Sequence, residues 1–76
     1  MNEKRWLQMF TSNLIRLMVE SRVSQAELAE LTGLSQGTIS KYTRGKQAPT
    51  ARALINISYA LHCTVDELVD FGEQIR

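Results

Sequence analysis

Apolar residues recur along the first part of the chain at the spacing of an amphipathic helix. Between residues 4 and 21 they follow one another at intervals of three, four, three and one, at Leu7, Phe10, Leu14, Leu17 and Met18. Because an α-helix completes a turn every 3.6 residues, this spacing places the whole set on one face. The pattern predicts a long first helix whose apolar face packs against the rest of the chain.

Two short helices joined by a glycine turn are predicted next. Ser24 and Glu27 have the spacing of a capping box, in which the hydroxyl and the carboxylate satisfy free amides at a helix start. Gly33 suits the reversal that follows, since it enters left-handed backbone space at little steric cost. Ser35 then offers a second N-cap. The two predicted helices cover residues 25–31 and 36–43.

The remaining pattern predicts two more helices and no strand. Thr50 caps a fourth helix that runs to about Leu61, and Thr64 with Glu67 repeats the capping-box spacing before a fifth. The side chains expected to complete the core from these helices are Leu54, Ile57, Leu61, Val65 and Leu68, with Val69 or Phe71. The fold class predicted by these patterns is therefore all-α, with five helices.

The helix over 36–43 has a polar face that is open to two interpretations. Ile39 and Tyr42 point to one side together with Leu34, which leaves the other side small or polar. The residues of that polar side are Gln36, Gly37, Thr38, Ser40 and Lys41. It is either an ordinary solvated face or a surface that contacts bases, because a major groove about 12 Å wide admits a helix.

The charge of the chain is unevenly distributed. The net charge is only +1, but residues 36–61 contain four basic and no acidic residues, while 62–76 contain four acidic and one basic. The basic residues of the positive segment are Lys41, Arg44, Lys46 and Arg52. Clustering of positive charge beside a helix-turn-helix pattern favours contact with phosphates over a merely solvated face.

The chain resembles the phage repressor and Cro-like, or XRE, family of helix-turn-helix proteins over about residues 14–70. The matching motifs are SQAELAELTG, GLSQGTISKYTRGK, APT at Ala48 to Thr50, and LINISYALHCTVDELV from Leu54 to Val69. The resemblance implies a compact lambda-repressor-like five-helix bundle, with residues 1–76 as one domain and the motif at about 24–45. It also implies a sequence-specific transcriptional regulator, expected to be a repressor that binds a palindromic operator in double-stranded DNA.

Roles for individual residues follow from the same resemblance. The base-reading positions are Gln36, Gly37, Thr38, Ser40 and Lys41, and Lys41 could hold either guanine or a phosphate. The phosphate-binding positions are Gln25, Ser35, Thr43, Arg44, Gly45, Lys46 and Arg52. Gln25 is expected to brace the start of the recognition helix as well. The backbone amides and cationic side chains at 43–46 are expected to grip the sugar-phosphate backbone.

Three departures from the family pattern affect these expectations. Gly37 replaces a larger reading side chain, so one base contact is expected to be missing. Met18 and Thr43 stand where relatives often pair an arginine with a glutamate, and we interpret this as a coordinated neutral replacement. Arg22 and His62 occupy positions where glycine usually ends a helix, so each is expected to be slightly strained, and Arg22 could add a phosphate contact.

Other functions are disfavoured by the sequence. His62, Cys63 and Asp66 provide three candidate metal ligands without a fourth, and a hydrolase triad of Ser35, His62 and Asp66 would lack a cleft and an oxyanion hole. We therefore expect no enzyme activity, no metal and no cofactor. With one cysteine, no signal peptide and no membrane-spanning apolar run, the expected location is the cytoplasm of a bacterium, whether a chromosome or a phage encodes the protein.

Two hypotheses about partners remain open at this point. The first is a homodimer on operator DNA, because one short recognition helix rarely makes enough specific contacts alone. Its candidate surface is the apolar and acidic tail with Val69, Phe71 and Ile75, and the alternative is a surface around Trp6. The second hypothesis is an antitoxin or adaptor whose main partner is another protein.

Overall fold

The computed structural model describes residues 3–70, and this part of the chain folds into five helices without a strand. The helices are α1 (Glu3–Ser21), α2 (Gln25–Thr32), α3 (Gln36–Thr43), α4 (Ala51–Leu61) and α5 (Val65–Val69). α1 packs against α3, α4 and α5, while α2 packs against α3 and α4. The predicted all-α class and the number of helices are confirmed.

The predicted caps form at the helix starts. The Ser24 hydroxyl accepts from the amide of Glu27 at 3.1 Å, and the Glu27 carboxylate accepts from the amide of Ser24 at 2.9 Å. Thr64 and Glu67 make the same reciprocal pair at the start of α5. These bonds satisfy amides that the first helical turn leaves without partners, which is why the sequence marks the helix starts so clearly.

Helices α1, α3 and α4 end in the same motif, closed by a residue with positive φ. This residue is Arg22 after α1 (φ 59°), Gly45 after α3 (φ 68°) and His62 after α4 (φ 55°). In each case its amide donates to the carbonyl three residues back, and the next amide donates to the carbonyl five residues back. The left-handed conformation expected at Arg22 and His62 is thus present, at a cost of about 1–2 kcal/mol for each non-glycine residue.

The core draws buried side chains from all five helices. Its members are Phe10, Leu14, Leu17, Met18, Leu28, Ala29, Ile39, Tyr42, Ala53, Ile57, Leu61 and Leu68. Each large apolar side chain buried in this way contributes about 1.5–3 kcal/mol. The hydrophobic pattern therefore located most of the core.

Some predicted core positions are only partly buried. Leu7 and Leu54 are half-buried against the core, and Val65 is half-buried outside the core cluster. Val65 is the first residue of α5, whose single buried residue is Leu68, because a helix of five residues turns little of its surface inward. Val69 is half-buried, and Phe71 lies outside the described residues.

Two polar contacts fix α1 against its neighbours. The buried Asn13 amide donates from Nδ2 to the carbonyls of Leu68 at 3.0 Å and Asp70 at 2.7 Å, where α5 ends. The Thr11 hydroxyl donates to the carbonyl of Tyr42 at 3.0 Å. α1 therefore holds the last turn of α3 on one side and the end of α5 on another.

Candidate nucleic-acid interface

Helices α2 and α3 form a helix-turn-helix whose inner side belongs to the core. Leu28 of α2 and Ile39 of α3 are fully buried, and Tyr42 is 2% exposed. The turn between the helices contains Gly33 at φ 77°, and its amide donates to the carbonyl of Ala29 at 2.9 Å. Burial of this side forces the polar residues of α3 to the outside.

The outer face of α3 carries the residues predicted to read bases. Gln36, Gly37 and Lys41 are exposed, whereas Thr38 and Ser40 are half-buried. A Cβ added at Gly37 would come no closer than 3.9 Å to the nearest side-chain atom, the Oγ of Ser35. A larger side chain therefore has room at this position, and the gap anticipated in the reading surface is open space.

Ser35 and Thr38 bond to each other at the start of α3. The Ser35 Oγ accepts from the amide of Thr38 at 3.0 Å, and the two hydroxyls lie 2.8 Å apart. Both hydroxyls thus already have one partner inside the protein. Gln36 and Lys41 are the long, exposed polar side chains of the helix, so they are the residues best placed to reach out from it.

Gln25 connects the two helices of the motif. Its Nε2 donates to the Oγ1 of Thr43 at 3.3 Å, and the Thr43 hydroxyl donates in turn to the carbonyl of Ser40 at 2.9 Å. The prediction that Gln25 braces the start of α3 is corrected here, because the side chain reaches the last residue of α3. The second Nε2 proton remains available to an outside acceptor.

The amides after α3 are not available to phosphates in the way that the sequence predicted. The amide of Arg44 donates to Ser40 at 3.1 Å, that of Gly45 to Tyr42 at 3.2 Å, and that of Lys46 to Lys41 at 2.9 Å. These bonds close the helix end and consume the donors. Any contact with DNA from this segment must therefore come from its side chains.

Comparison with known protein families agrees with this geometry. A family model described as Helix-turn-helix matches residues 14–68, which is more than half of the chain. The chain belongs to the XRE-type helix-turn-helix family. A comparison with curated protein sequences finds no match. Membership makes this a DNA-binding regulatory domain of the XRE type.

Positive charge surrounds the recognition helix of this helix-turn-helix protein. Lys41, Arg44, Lys46 and Arg52 are exposed, and Arg52 lies in the first turn of α4. Within residues 3–70 none of these four side chains makes an ion pair. No side chain in the described part of the protein pairs with these charges, so they can attract an anion.

An open groove in the described part of this helix-turn-helix protein lies between α1, the start of α2 and the end of α3. Ile15, Met18 and Val19 give it an apolar floor, and Arg22, Gln25 and Arg44 stand among its lining residues. We call it the Arg22 groove. Arg22, which the sequence analysis considered for an additional phosphate contact, is exposed. It lines the same groove as the phosphate-binding candidate Gln25.

Met18 and Thr43 also line the Arg22 groove, and their environment explains the missing charge pair. Met18 is 8% exposed within the core, and Thr43 is half-buried with both hydroxyl bonds made inside the protein. No charge is stranded at either position. The interpretation of a coordinated neutral replacement is consistent with these contacts, because the site is closed by a methionine and a hydrogen-bonded threonine.

A further open groove was not predicted from the sequence. It lies between the first half of α1 and the turn after α3, and its lining includes Lys4, Gln8, Met9, Ser12, Arg44 and Gly45. We call it the Lys4 groove. The spacing of Lys4, Gln8 and Ser12 at four-residue intervals was a signal of one polar helix face, but only the packing of α1 against α3 shows where that face lies.

The residues considered for other chemistry do not assemble a site. His62 is exposed at a helix end, Cys63 is half-buried, and no group of three potential metal ligands comes together within residues 3–70. Burial raises the pKa of the Cys63 thiol, and the nearby Glu67 carboxylate adds to the increase. In the described part of the chain, no helix is long and apolar enough to cross a membrane.

Proposed function

We propose that this XRE-type protein is a sequence-specific transcriptional repressor, which binds a palindromic operator as a homodimer and acts as one DNA-binding domain over residues 1–76. The observation that carries the proposal is the two-sided character of α3. Its apolar side is buried in the core through Ile39 and Tyr42. Gln36 and Lys41 are exposed, and the basic side chains at 41–52 form no ion pair within residues 3–70. A face of this kind suits direct contact with DNA.

The dimensions of α3 support its insertion into the major groove. An α-helix with its side chains is about 10–12 Å across, which fits the groove width of about 12 Å, and the eight residues of α3 extend over about 12 Å at 1.5 Å per residue. In this proposal Gln36 pairs with the N6 and N7 edge of adenine, and Lys41 contacts guanine or a phosphate. The base-reading surface comprises Gln36, Gly37, Thr38, Ser40 and Lys41.

The phosphate contacts in the proposal come mainly from side chains. Gln25 and Arg44 line the Arg22 groove together with Arg22, so one stretch of sugar-phosphate backbone can meet two cations and an amide there. Its apolar floor suits contact with deoxyribose. The remaining phosphate-binding candidates are Ser35, Thr43, Lys46 and Arg52. Gly45 is no longer a candidate, because it has no side-chain donor and its amide donates to the carbonyl of Tyr42.

The homodimer follows from the size of the reading surface. One two-turn helix offers few base contacts, and dimers of this class place two such helices about 34–36 Å apart on DNA. Of the surfaces predicted for the dimer, Phe71 and Ile75 lie outside the described residues. Trp6 is half-buried and stacks on Phe10 at a centroid distance of 6.0 Å, so core packing already uses much of that alternative surface.

A selection of binding sites from a random duplex pool tests the proposal. We expect a short palindromic consensus, bound at least about 10³-fold more tightly than a scrambled duplex at matched salt. Sedimentation of the complex should give two protein chains per duplex. A bacterial promoter that contains the consensus should then be silenced when the protein is expressed in the cytoplasm.

Two results would contradict parts of this proposal. Enrichment of no sequence, with only weak and salt-sensitive binding, would exclude a sequence-specific regulator and redirect the search to an antitoxin or adaptor with a protein partner. A monomer on the selected duplex at high micromolar concentration would exclude the dimer alone.

A further inference from the structure

The first half of α1 lies outside the family match and packs against the end of the recognition helix. The match begins at residue 14, whereas α1 begins at Glu3. Phe10 packs edge-to-face on Tyr42 at a centroid distance of 5.7 Å, and the Thr11 hydroxyl donates to the carbonyl of Tyr42. These contacts at residues 10 and 11 hold α1 beside the end of α3.

This arrangement creates the Lys4 groove, an open channel of about 590 Å³. Lys4, Gln8 and Ser12 follow one another at four-residue intervals, so they form one stripe along α1. Arg44 and Gly45, from the turn that ends α3, line the groove as well. The positively charged end of the recognition helix thus continues onto a helix face that the family match does not include.

The chemistry of the groove suits an anion. Lys4 and Arg44 are both exposed, and within residues 3–70 neither makes an ion pair. None of the described residues that line the groove is acidic. The Gln8 amide and the Ser12 hydroxyl add neutral donors at the same face. Two unneutralised cations with further donors are a typical environment for phosphate.

We infer that the Lys4 groove seats sugar-phosphate backbone of the same operator duplex, so that Lys4 provides a phosphate contact beyond the family's helix-turn-helix. Arg44 lines both the Lys4 groove and the Arg22 groove. A strand that runs past Arg44 therefore has a cationic surface on either side of it, and the closely spaced charges of DNA complement such a continuous surface. The inference rests on the proposed function.

The test compares two variants that each remove one positive charge from α1. Lys4→Ala removes the charge at the groove, while Arg16→Ala is the matched control. Arg16 pairs with Glu20 at 3.3 Å and is not among the residues that line the Lys4 groove. Circular dichroism confirms the fold of both variants before binding is measured.

Affinity for the selected operator and for a scrambled duplex is measured across a salt series. Loss of one phosphate contact reduces the slope of log affinity against log salt by about 0.9, so Lys4→Ala, which removes one contact from each chain of the proposed homodimer, should reduce the slope by about 1.8. Lys4→Ala should therefore show this smaller slope and an affinity lower by about 3–10-fold on both duplexes. Base preference should not change. Arg16→Ala should keep the slope of the unmodified protein.

A second measurement locates the contact on the DNA. Methylphosphonate linkages, which lack the phosphate charge, are placed one at a time through the operator and its flanks. One position should weaken binding of the unmodified protein but have little further effect on Lys4→Ala. Equal slopes for the two variants, or the absence of such a position, would overturn the inference while leaving the proposed function intact. Failure of the unmodified protein to bind any duplex would overturn both.

Discussion

Gln25, the first residue of α2, donates from Nε2 to the hydroxyl of Thr43, the last residue of α3, over 3.3 Å. Both residues are half-buried, and both line the Arg22 groove. The bond joins the two helices at the edge proposed to face DNA. It occupies one proton of the Gln25 amide and orients the rest of that amide for a phosphate.

Replacing Thr43 with valine should remove the hydrogen bond between α2 and α3 without changing the shape of the Arg22 groove. Thr43→Val removes the acceptor of Gln25, so we expect a loss of about 0.5–1.5 kcal/mol in the free energy of unfolding. The less ordered Gln25 should also weaken operator binding several-fold. Urea denaturation and a binding titration measure the two effects. Thr43→Ser keeps the hydroxyl and should restore both stability and operator affinity. If it restores neither, the losses in Thr43→Val do not come from the missing hydrogen bond.

Substitutions at Gln36 and Arg44 should separate the effect of a base contact from that of a phosphate contact. Gln36→Ala should lose about 1–3 kcal/mol on the selected operator while leaving non-specific binding unchanged, because a base contact carries sequence information. Arg44→Ala should weaken binding to every duplex, because a phosphate contact is sequence-independent, and should reduce the salt slope by about one unit per chain, or about two units for the proposed homodimer. Titrations of both variants on operator and scrambled duplexes test this. Equal effects on all sequences would mean that α3 reads no bases.

Replacing Gly37 with alanine should stabilise the protein, whereas replacing Gly33 with alanine should destabilise it. The Cβ position at Gly37 is open and its φ is helical, so Gly37→Ala should stabilise the protein by about 0.5–1 kcal/mol. Apart from Gly33 and its two chain neighbours, no described atom lies within 4 Å of the Cβ position at Gly33. Its φ is +77°, however, so Gly33→Ala should destabilise the protein by about 1–2 kcal/mol. Thermal denaturation of both variants distinguishes backbone conformation from space. A loss of stability in Gly37→Ala would contradict the assigned open site.

Glycine in place of either left-handed residue, His62 or Arg22, should stabilise the protein, but only the change at Arg22 should weaken DNA binding. His62 lies at φ 55° and is exposed, so His62→Gly should raise the free energy of unfolding by about 0.5–1 kcal/mol through relief of left-handed strain. Operator affinity should stay unchanged. Arg22→Gly should give a similar gain in chemical denaturation but weaken DNA binding, since it removes a cation from the Arg22 groove. Unchanged binding in Arg22→Gly would exclude the phosphate role proposed there.

The capping box of α2 predicts an acid-dependent loss of stability. Hydrogen bonds from the backbone and then the side chain of Ser24 lower the pKa of Glu27 below its ordinary value of 4.5. Because the folded-state pKa is the lower one, the contribution of Glu27 is present above pH 4.5 and disappears as the pH falls through that lower value. Melting temperatures of the unmodified protein and Glu27→Gln, measured from pH 7 to pH 2, should converge at acid pH, since glutamine keeps an acceptor without titrating. A constant difference across this range would contradict the prediction.

The sequence by itself determined the helices and most of the core. Ser24, Ser35, Thr50 and Thr64 mark helix starts through bonds to amides three residues away, so these signals are complete within one turn. The apolar spacing in α1 likewise needs only the geometry of a helix. The backbone at Arg22 and His62 was anticipated in a different way, from the family resemblance, because relatives usually have glycine at these helix ends; both residues have positive φ.

Only the tertiary structure decided how distant residues meet around the interface. The Gln25–Thr43 bond spans 18 positions of the chain and the Thr11–Tyr42 bond spans 31, and no local pattern specifies either. The use of the Arg44 and Lys46 amides inside the helix end depends on a backbone path that the motif alone left open. The Lys4 groove exists because α1 packs against the turn after α3. Caps and periodicity are set by neighbours in the chain, whereas grooves and cross-helix bonds arise from packing, which places residues together regardless of their separation in sequence.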